Sequence, residues 1–411
     1  MRHMALISRK DRGLLARWWF TVDWWLLGAT FILMALGVIF SLAASPPVAE
    51  RIGLDGLHFF RRHLAFLVPA AALLVGMSML DARQVRRVAL ALYGGGLMLM
   101  VLALLIGPEI KGAHRWINVG PLSMQPSEFV KPGFLILAGW FLAEAHRRPD
   151  VPATAIAWGL YGLFAGLLVL QPDMGQTILV TGAWAGLLFL SGMRWRHMLM
   201  LAGLGIVGAI GAWLAFPHVR ARIDRFLNPP QLPDGARDQM DFALEAFRNG
   251  GLLGLGPGGG MANKHLPDAH TDFIFAAVGE EFGFVAVMLV VLLYAFVVLR
   301  LMLRAGRMQS TFRRLAVNGL AILFGLQAFI NMGVNVQLLP AKGMTLPLLS
   351  YGGSSLWAAA IGLGLALALL REDEPEDADL DIPEPVVMAP ATGDRAGAMG
   401  ASAGMAEGAA S

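Results

Sequence analysis

The sequence predicts an all-α polytopic membrane protein of about ten transmembrane helices, with both termini cytoplasmic and one long extracytoplasmic loop between spans seven and eight. Three observations carry that reading. Of 411 residues, 56% are hydrophobic and 15% charged, against roughly 25% charge in a soluble globular protein, so no water-facing surface can be built around so large an apolar fraction. Apolar runs near the ~20 residues that cross a bilayer recur at 24–44, 62–80, 86–106, 129–146, 152–170, 174–192, 197–216, 272–299, 312–338 and 345–370. Glycine, at 49 residues, exceeds the usual ~7% without a collagen-like period, as expected where helices approach closely in lipid.

Taken in order, residues 1–23 form a basic segment with Arg2, Arg9, Lys10, Arg12 and Arg17. They contain no early apolar region or small-residue cleavage site, so a removed signal peptide is not expected and the N-terminus stays inside. Trp18, Trp19, Trp24 and Trp25 gather where the first span meets the inner interface and read as an anchor. The membrane domain covers 24–371. Sorting its short-loop and terminal Lys and Arg by a ten-span topology gives 19 inside and 7 outside, as the positive-inside rule requires. Residues 372–411 start acidic (Glu372, Asp373, Glu374, Glu376, Asp377, Asp379), turn to Ala, Gly, Pro and Ser, and predict a disordered cytoplasmic tail. Cysteine is absent, which excludes disulfides, thiolate nucleophiles and Cys-based metal sites. A net charge of +3 is accounted for by the inner loops; with no basic stripe interleaved with aromatics, nucleic acid is not an expected partner. The lack of an internal repeat argues against an inverted-repeat transporter.

Polar clusters interrupt this wall. Within the long loop 217–271, Gly250, Gly251, Gly254, Gly256, Gly258, Gly259 and Gly260 follow no strand, so a flexible turn on the membrane surface is expected in preference to a nucleotide fingerprint. Just before it, Met240, Leu244 and Phe247 recur at i, i+4 and i+7 and predict an interfacial amphipathic helix, in contact with lipid or gating a lipid substrate. Asp272 falls in the first turn of the eighth span, where an acid gains about 0.3–1 kcal/mol from the macrodipole alone. With His270 beside it and Glu280 and Glu281 two turns deeper, the same residues also fit a water-filled cavity. Asp268, His270 and Asp272 are alternative metal ligands, although alternate spacing suits a strand better than a helix start. The loop 107–130 holds Arg115, Glu128 and Lys131; the last two are i, i+3 and can pair on one helix face, or Arg115 and Lys131 can hold phosphate oxygens. Gln171-Pro172-Asp173 reads as a turn. From Leu339 to Ser355, prolines, glycines and hydroxyls break the tenth span near its outer end, which lipid tolerates only where protein or water covers the freed backbone.

Together, Lys111 to Lys131, Gln171-Pro172-Asp173, LPDAHTDFIFAAVGEEFG from Leu266 and LLPAKGMTLPLLSYGGSS from Leu338 resemble the SEDS family, the shape, elongation, division and sporulation proteins. The resemblance covers about residues 20–371, and Ala-Lys-Gly-Met-Thr-Leu-Pro is nearer the division members than the elongation members. It implies a ten-helix peptidoglycan glycosyltransferase. Such an enzyme polymerises lipid II at the outer face of the plasma (inner) membrane, beside a class B penicillin-binding protein and other division proteins at the septum. It also implies Asp272 as the catalytic aspartate of the HTDFIFA motif and Glu128 and Lys131 as its QPSE-x-x-K pair. Arg222, before Leu227-Asn228-Pro229, matches the loop arginine; Arg115, His270, Lys342 and Ser354 complete the expected substrate-binding set. Pro267-Asp268 stands where many relatives have Pro-Glu. No cofactor is required, and a divalent cation is left open. A lipid II flippase and a noncatalytic division scaffold are the alternatives from other classes.

Overall fold

Each of the ten apolar runs contains a helix in the computed structural model of the chain, which describes residues 13–110, 112–120, 122–215, 217, 220–221, 224, 239–266, 268–340 and 343–371. The short α1 (Leu14–Thr21) leads into α2 (Trp24–Arg51), α3 (His58–Ser78) and α4 (Ala82–Ile106). Strands β1 (Ile117–Val119) and β2 (Leu122–Met124) then make a small antiparallel hairpin with Ile117 opposite Met124. After it come α5 (Pro126–Arg147), α6 (Ala153–Leu170), α7 (Met174–Leu190), α8 (Trp195–Ala215) and the loop helix α9 (Gln239–Gly250). The chain closes with α10 (Ile274–Ala305), α11 (Thr311–Asn335) and α12 (Gly353–Leu370).

Seven of these, α2, α3, α4, α6, α10, α11 and α12, are long and apolar enough to cross a membrane, and α7 is a shorter apolar helix. The multi-pass expectation therefore holds. Helix α5 matches the fourth expected span in position but carries Glu128 and Lys131 in its first two turns. Arg222, Lys342 and the acidic tail from Glu372, all singled out above, lie outside the described residues.

Caps set where the helices begin. Asp81 and Gln84 form a reciprocal capping box on α4, and Asp23 accepts from Leu26 N at the start of α2. Asp23 also binds Arg300 at 2.9 Å and Arg304 at 3.2 Å, fixing the end of α10 to the start of α2. Nearby, Arg371 donates to Thr21 Oγ1 at 3.0 Å and Met79 O at 2.9 Å. Thr21 and Arg371 thus lie at one end of the bundle, which requires an even number of crossings between them. At this end the tryptophans are more than an anchor: Trp18 is buried and donates to Ser78 Oγ at 2.8 Å, while Trp19, Trp24 and Trp25 are exposed.

The core of the bundle is α5, packed on α4, α6 and α11, with α12 against α3. Small residues allow the approach: a Cβ at Gly133 would lie 2.8 Å from Ala89 O, and one at Gly364 2.6 Å from Leu74 O.

The glycine-rich loop departs from the flexible surface turn expected of it. Leu255 N and Gly256 N donate to Glu280 O and Glu281 O at 3.0 Å each, and Phe284 N donates back to Gly251 O at 2.9 Å. The loop backbone thereby takes up groups that α10 releases at Gly283, whose φ of 76° and ψ of −177° break the helix. Glycine is required because backbone meets backbone: a Cβ at Gly254 would lie 2.2 Å from Glu281 O, and one at Gly283 2.3 Å from Gly254 N. The amphipathic helix α9 forms as expected, but Ala243 and Ala246 are fully buried, and Phe247 turns onto α10, its ring 5.6 Å from that of Phe275. Glu280 and Glu281 likewise do not line a water-filled cavity. Glu280 Oε1 accepts from Met261 N and Ala262 N at 2.9 Å each, and Glu281 Oε2 from Gly258 N at 3.1 Å. Buried carboxylates here take loop N–H groups that would otherwise be unpaired.

Gly283→Ala should therefore destabilise the fold by more than the roughly 1–3 kcal/mol of a Gly-only backbone conformation, because the clash with Gly254 adds to it. Thermal melting in detergent should show a clear loss, whereas Gly159→Ala, with no atom within 4 Å of the added methyl, should melt like the wild type.

Candidate functional site

At the end of the bundle opposite Asp23, the starts of α5, α7, α10 and α12 and the last turn of α11 converge. Helix α5 begins with Pro126 at its first position, suited to a site where an N–H is unpaired anyway. This places Glu128 and Lys131 on its inner face, 4% and 2% exposed. They pair at 2.8 Å. Neither side chain stands alone: Lys131 Nζ donates to Gln176 Oε1 at 3.0 Å and Gln327 Oε1 at 3.3 Å, and Gln176 Nε2 donates to Glu128 Oε1 at 2.7 Å. A buried ion pair is tolerable only when its remaining hydrogen-bonding capacity is met in this way.

The network extends outward through the Gln171-Pro172-Asp173 turn, which the sequence predicts as a turn and whose Asp173 caps α7 in the structure. Asp173 Oδ1 accepts from Gln176 N at 3.3 Å and lies 3.6 Å from Arg115 Nη1, while its Oδ2 accepts from Gln125 Nε2 at 3.1 Å. Burial pushes the Asp173 carboxyl above its ordinary range, and the Arg115 guanidinium opposes this. Arg115 also donates to Gln171 O at 3.1 Å and Pro172 O at 2.9 Å. Arg115 and Lys131, two of the expected phosphate ligands, are thus already engaged by protein oxygens.

Inward, Gln327 Nε2 donates to Thr345 O at 3.3 Å, which ties the Lys131 cluster to the non-helical segment 343–352. The sequence places the break in the tenth span here, and α12 starts only at Gly353. The freed backbone is covered as a membrane interior requires: Asn331 Nδ2 donates to Met344 O, and Tyr351 N to His270 O at 3.1 Å. Ser354 is buried in the first turn of α12, whereas Ser355 lines the cavity beside Glu128, Lys131 and Gln327.

Asp272 stands partly exposed just before α10. Its carbonyl accepts from Asn331 Nδ2 at 2.9 Å and Asn335 Nδ2 at 3.0 Å. Gly343 packs over its carboxylate so closely that an added Cβ would lie 3.2 Å from Oδ2. His270 is buried, its ring stacked 4.2 Å from that of Phe59 and tilted against that of Tyr351 at 5.3 Å. Burial holds its pKa down at about 4, with Asp268 opposing and Arg51 adding to the shift. The imidazole is therefore neutral at pH 7. Among the described residues no three His, Asp or Glu side chains form a metal-binding group, so Asp268, His270 and Asp272 do not make the metal trio their spacing left open.

The structure brings Arg115, Glu128, Lys131 and Asp272 into one chain of contacts. Its links, Gln176, Gln327, Asn331 and Asn335, were not singled out from sequence. The signal was there: Gln327, Asn331 and Asn335 are carboxamides at i, i+4 and i+8 of an apolar run, hence on one helix face, and polar groups inside membrane spans are costly without a role.

Lys131→Met should destabilise the protein by about 3–5 kcal/mol by stranding Glu128, and the Glu128→Gln/Lys131→Met double variant should be more stable than Lys131→Met alone. A double-mutant cycle in thermal melts measures that coupling. A pH series reads His270. Its folded pKa lies below the ordinary 6.5, so the unfolded chain binds more protons between about 4 and 6.5 and stability is lost as pH falls through that window. Melting temperatures of wild type should drop there, and those of His270→Gln should drop less.

Residues 24–374 match the model of the FtsW/RodA/SpoVE family, described as cell cycle proteins. The chain is 42% identical over 357 residues to a probable peptidoglycan glycosyltransferase FtsW of Caulobacter vibrioides, covering 87% of this chain and 91% of that one. An Escherichia coli protein of the same description is 35% identical over 337 residues, covering 80% and 81%. Among solved structures, a chain from a peptidoglycan synthase complex that coordinates polymerization and crosslinking superposes with a TM-score of 0.72 at 32% identity, over 86% of this chain and 98% of that one. The rod shape determining protein RodA of Thermus thermophilus gives 0.64 at 30%, over 87% and 99%. A match across nearly the whole membrane domain shows that the chain belongs to the FtsW/RodA/SpoVE family, on its FtsW side.

Proposed function

We propose that this protein is a peptidoglycan glycosyltransferase that polymerises lipid II at the outer face of the plasma membrane during septal wall synthesis, with Asp272 as general base. The observation that carries the reading is the partly exposed Asp272 at the convergence of four helix N-termini, joined through α11 to the buried Glu128–Lys131 pair. In the reaction a sugar hydroxyl attacks the anomeric carbon of a lipid-linked sugar. The new C–O bond forms as the bond to pyrophosphate breaks, Asp272 takes the hydroxyl proton, and the lipid pyrophosphate leaves with the bonding pair. Because that leaving group is already acidic, one carboxylate suffices and no glycosidase-like pair is needed.

The starts of α5, α7, α10 and α12 direct their positive dipole ends toward the same region, which favours the developing pyrophosphate charge. Lys131 and Arg115 add fixed positive charge nearby. Since both already have protein partners, their part is to set the field and the shape of the site, with direct phosphate contact falling to cations such as Lys342 and Arg222. The relatives called peptidoglycan glycosyltransferases and the synthase-complex neighbour support the reaction class. That complex also supports a class B penicillin-binding protein as the crosslinking partner. The cavity beside Lys131 continues inward between Leu320, Leu323, Phe324 and Leu363, an apolar lining that suits a lipid-facing polymerase better than a flippase, which needs a polar path to the other face.

Asp272→Asn should abolish glycan-chain synthesis from lipid II by purified protein with its penicillin-binding partner, without lowering the melting temperature appreciably. Full retained polymerisation would remove Asp272 as the base. Translocation of lipid II in liposomes with no polymerisation would replace the glycosyltransferase by a transporter.

A further inference from the structure

Helix α11 carries Gln327, Asn331 and Asn335 four residues apart, so their side chains follow one another up a single face. Each ends on backbone that has left a helix. Asn335 Oδ1 accepts at 3.1 Å from Ala276 N, an N–H in the first turn of α10 that also reaches Phe273 O at 3.1 Å. No side chain on α10's own N-cap, Phe273, does this, so the cap comes from a different helix. Asn335 Nδ2 donates to Asp272 O at 3.0 Å and to Asn331 O at 2.9 Å. Asn331 Nδ2 donates to the same Asp272 carbonyl at 2.9 Å and to Met344 O at 2.6 Å.

Asn331 is consequently the one side chain among the described residues that bridges the two backbones flanking the carboxylate. One is the turn that bears Asp272; the other is the segment that runs from Gly343, beside Asp272 Oδ2, to Thr345, which Gln327 joins to Lys131. The side chain is 2% exposed, so it holds this bridge in a medium with no water to compete for either carbonyl. Leucine has its branching and number of side-chain heavy atoms, is bulkier, and has no donor. Aspartate has its shape but presents oxygens to two carbonyl oxygens.

We propose that Asn331 is a positioning residue for Asp272: by sharing its amide group between the Asp272 and Met344 carbonyls it fixes the carboxylate relative to the 343–345 segment and the Lys131 cluster. The inference rests on Asp272 being the general base. Its action is on geometry, so removing it lowers turnover and leaves substrate affinity alone. Asn331 Oδ1 is buried with no hydrogen-bond partner among the described residues, which supplies the competing idea that the residue binds substrate directly.

The test uses the full-length protein with its penicillin-binding partner and lipid II, in wild type, Asn331→Leu and the milder Asn331→Ser, which keeps one donor. For Asn331→Leu, kcat should fall about 10- to 100-fold, the scale of an ~1 Å misplacement of a catalytic group, with KM for lipid II within about twofold of wild type. Asn331→Ser should lie between the two. In the Asp272→Asn background, Asn331→Leu should cause no further loss. Hydrogen–deuterium exchange, read without substrate, should show backbone amides of 273–276 exchanging about tenfold faster in Asn331→Leu, and less so in Asn331→Ser, while those in the middle of α11 stay protected. A raised KM with unchanged kcat would make Asn331 a substrate ligand and overturn the proposal. So would unchanged exchange at 273–276 in a folded variant, including in Asn331→Ser should the leucine variant not fold. If the wild type fails to polymerise lipid II, the glycosyltransferase reading falls, and the exchange arm still decides whether Asn331 holds the Asp272 turn.

Discussion

Unpaired backbone polarity in an apolar medium is the constraint from which the rest of this structure follows. A carboxylate set on a turn at the mouth of a helix bundle needs the helix beneath it to start late and the segment opposite to stay extended. Each concession frees N–H and C=O groups that lipid will not solvate. The bundle answers with side-chain amides. Asn331 and Asn335 take the Asp272 carbonyl, Asn335 takes Ala276 N, and Asn331 and Gln327 take the carbonyls of Met344 and Thr345. The glycine-rich loop is the same solution built from backbone: where α10 breaks at Gly283, the loop supplies Leu255 N and Gly256 N to the carbonyls, and Glu280 and Glu281 accept loop N–H groups in return.

Electrostatics is secondary to this and constrained by it. Glu128 and Lys131 gain from a short contact in a low-dielectric interior, but taking both ions out of water costs several kcal/mol each. Such a pair persists where its other valences are filled, and both glutamines, Gln176 and Gln327, fill them. The pair is therefore a junction through which α5, α7 and α11 are held in one register, and its charge reaches the site through those helices. That accounts for an otherwise odd feature, a lysine among the largest fully buried side chains of the molecule.

Much of this was legible in the sequence, for reasons that differ by element. The spans announce themselves by composition, since lipid selects long apolar runs whatever they pack against. The Gln171-Pro172-Asp173 turn and the break ahead of Gly353 follow from local turn and helix-end chemistry, which neighbouring residues determine. Residues whose partners lie far along the chain were harder. Asn331 and Asp272 are 59 residues apart, and no local pattern relates an amide on one helix to a carbonyl ahead of another. Gly250 to Gly260 misled for a related reason: glycine marks both a free loop and a backbone pressed against another backbone, and only the proximity of Glu281 and Gly283 decides between them. Glu280 and Glu281 were seen as ionisable groups in a span, which points to water, when their partners are N–H groups of that same loop.

The distribution of carboxylates also bears on the chemistry. Glu128, Asp173, Glu280 and Glu281 are all nearly sealed from solvent, and each accepts hydrogen bonds or a salt bridge that fixes a helix or a loop. A general base must come within hydrogen-bond reach of the hydroxyl it deprotonates, and none of these four can do so without dismantling the structure it holds. Asp272 differs in kind. Its carbonyl accepts two bonds from α11, and its carboxylate lies beside Gly343, where the absence of a Cβ leaves room at Oδ2. Backbone ties this residue to α11, while its side chain remains nearer solvent than those four carboxylates. Replacing this acid by its isosteric amide keeps the backbone bonds to α11 and removes the proton acceptor, which is why that single substitution separates the fold from the proposed chemistry.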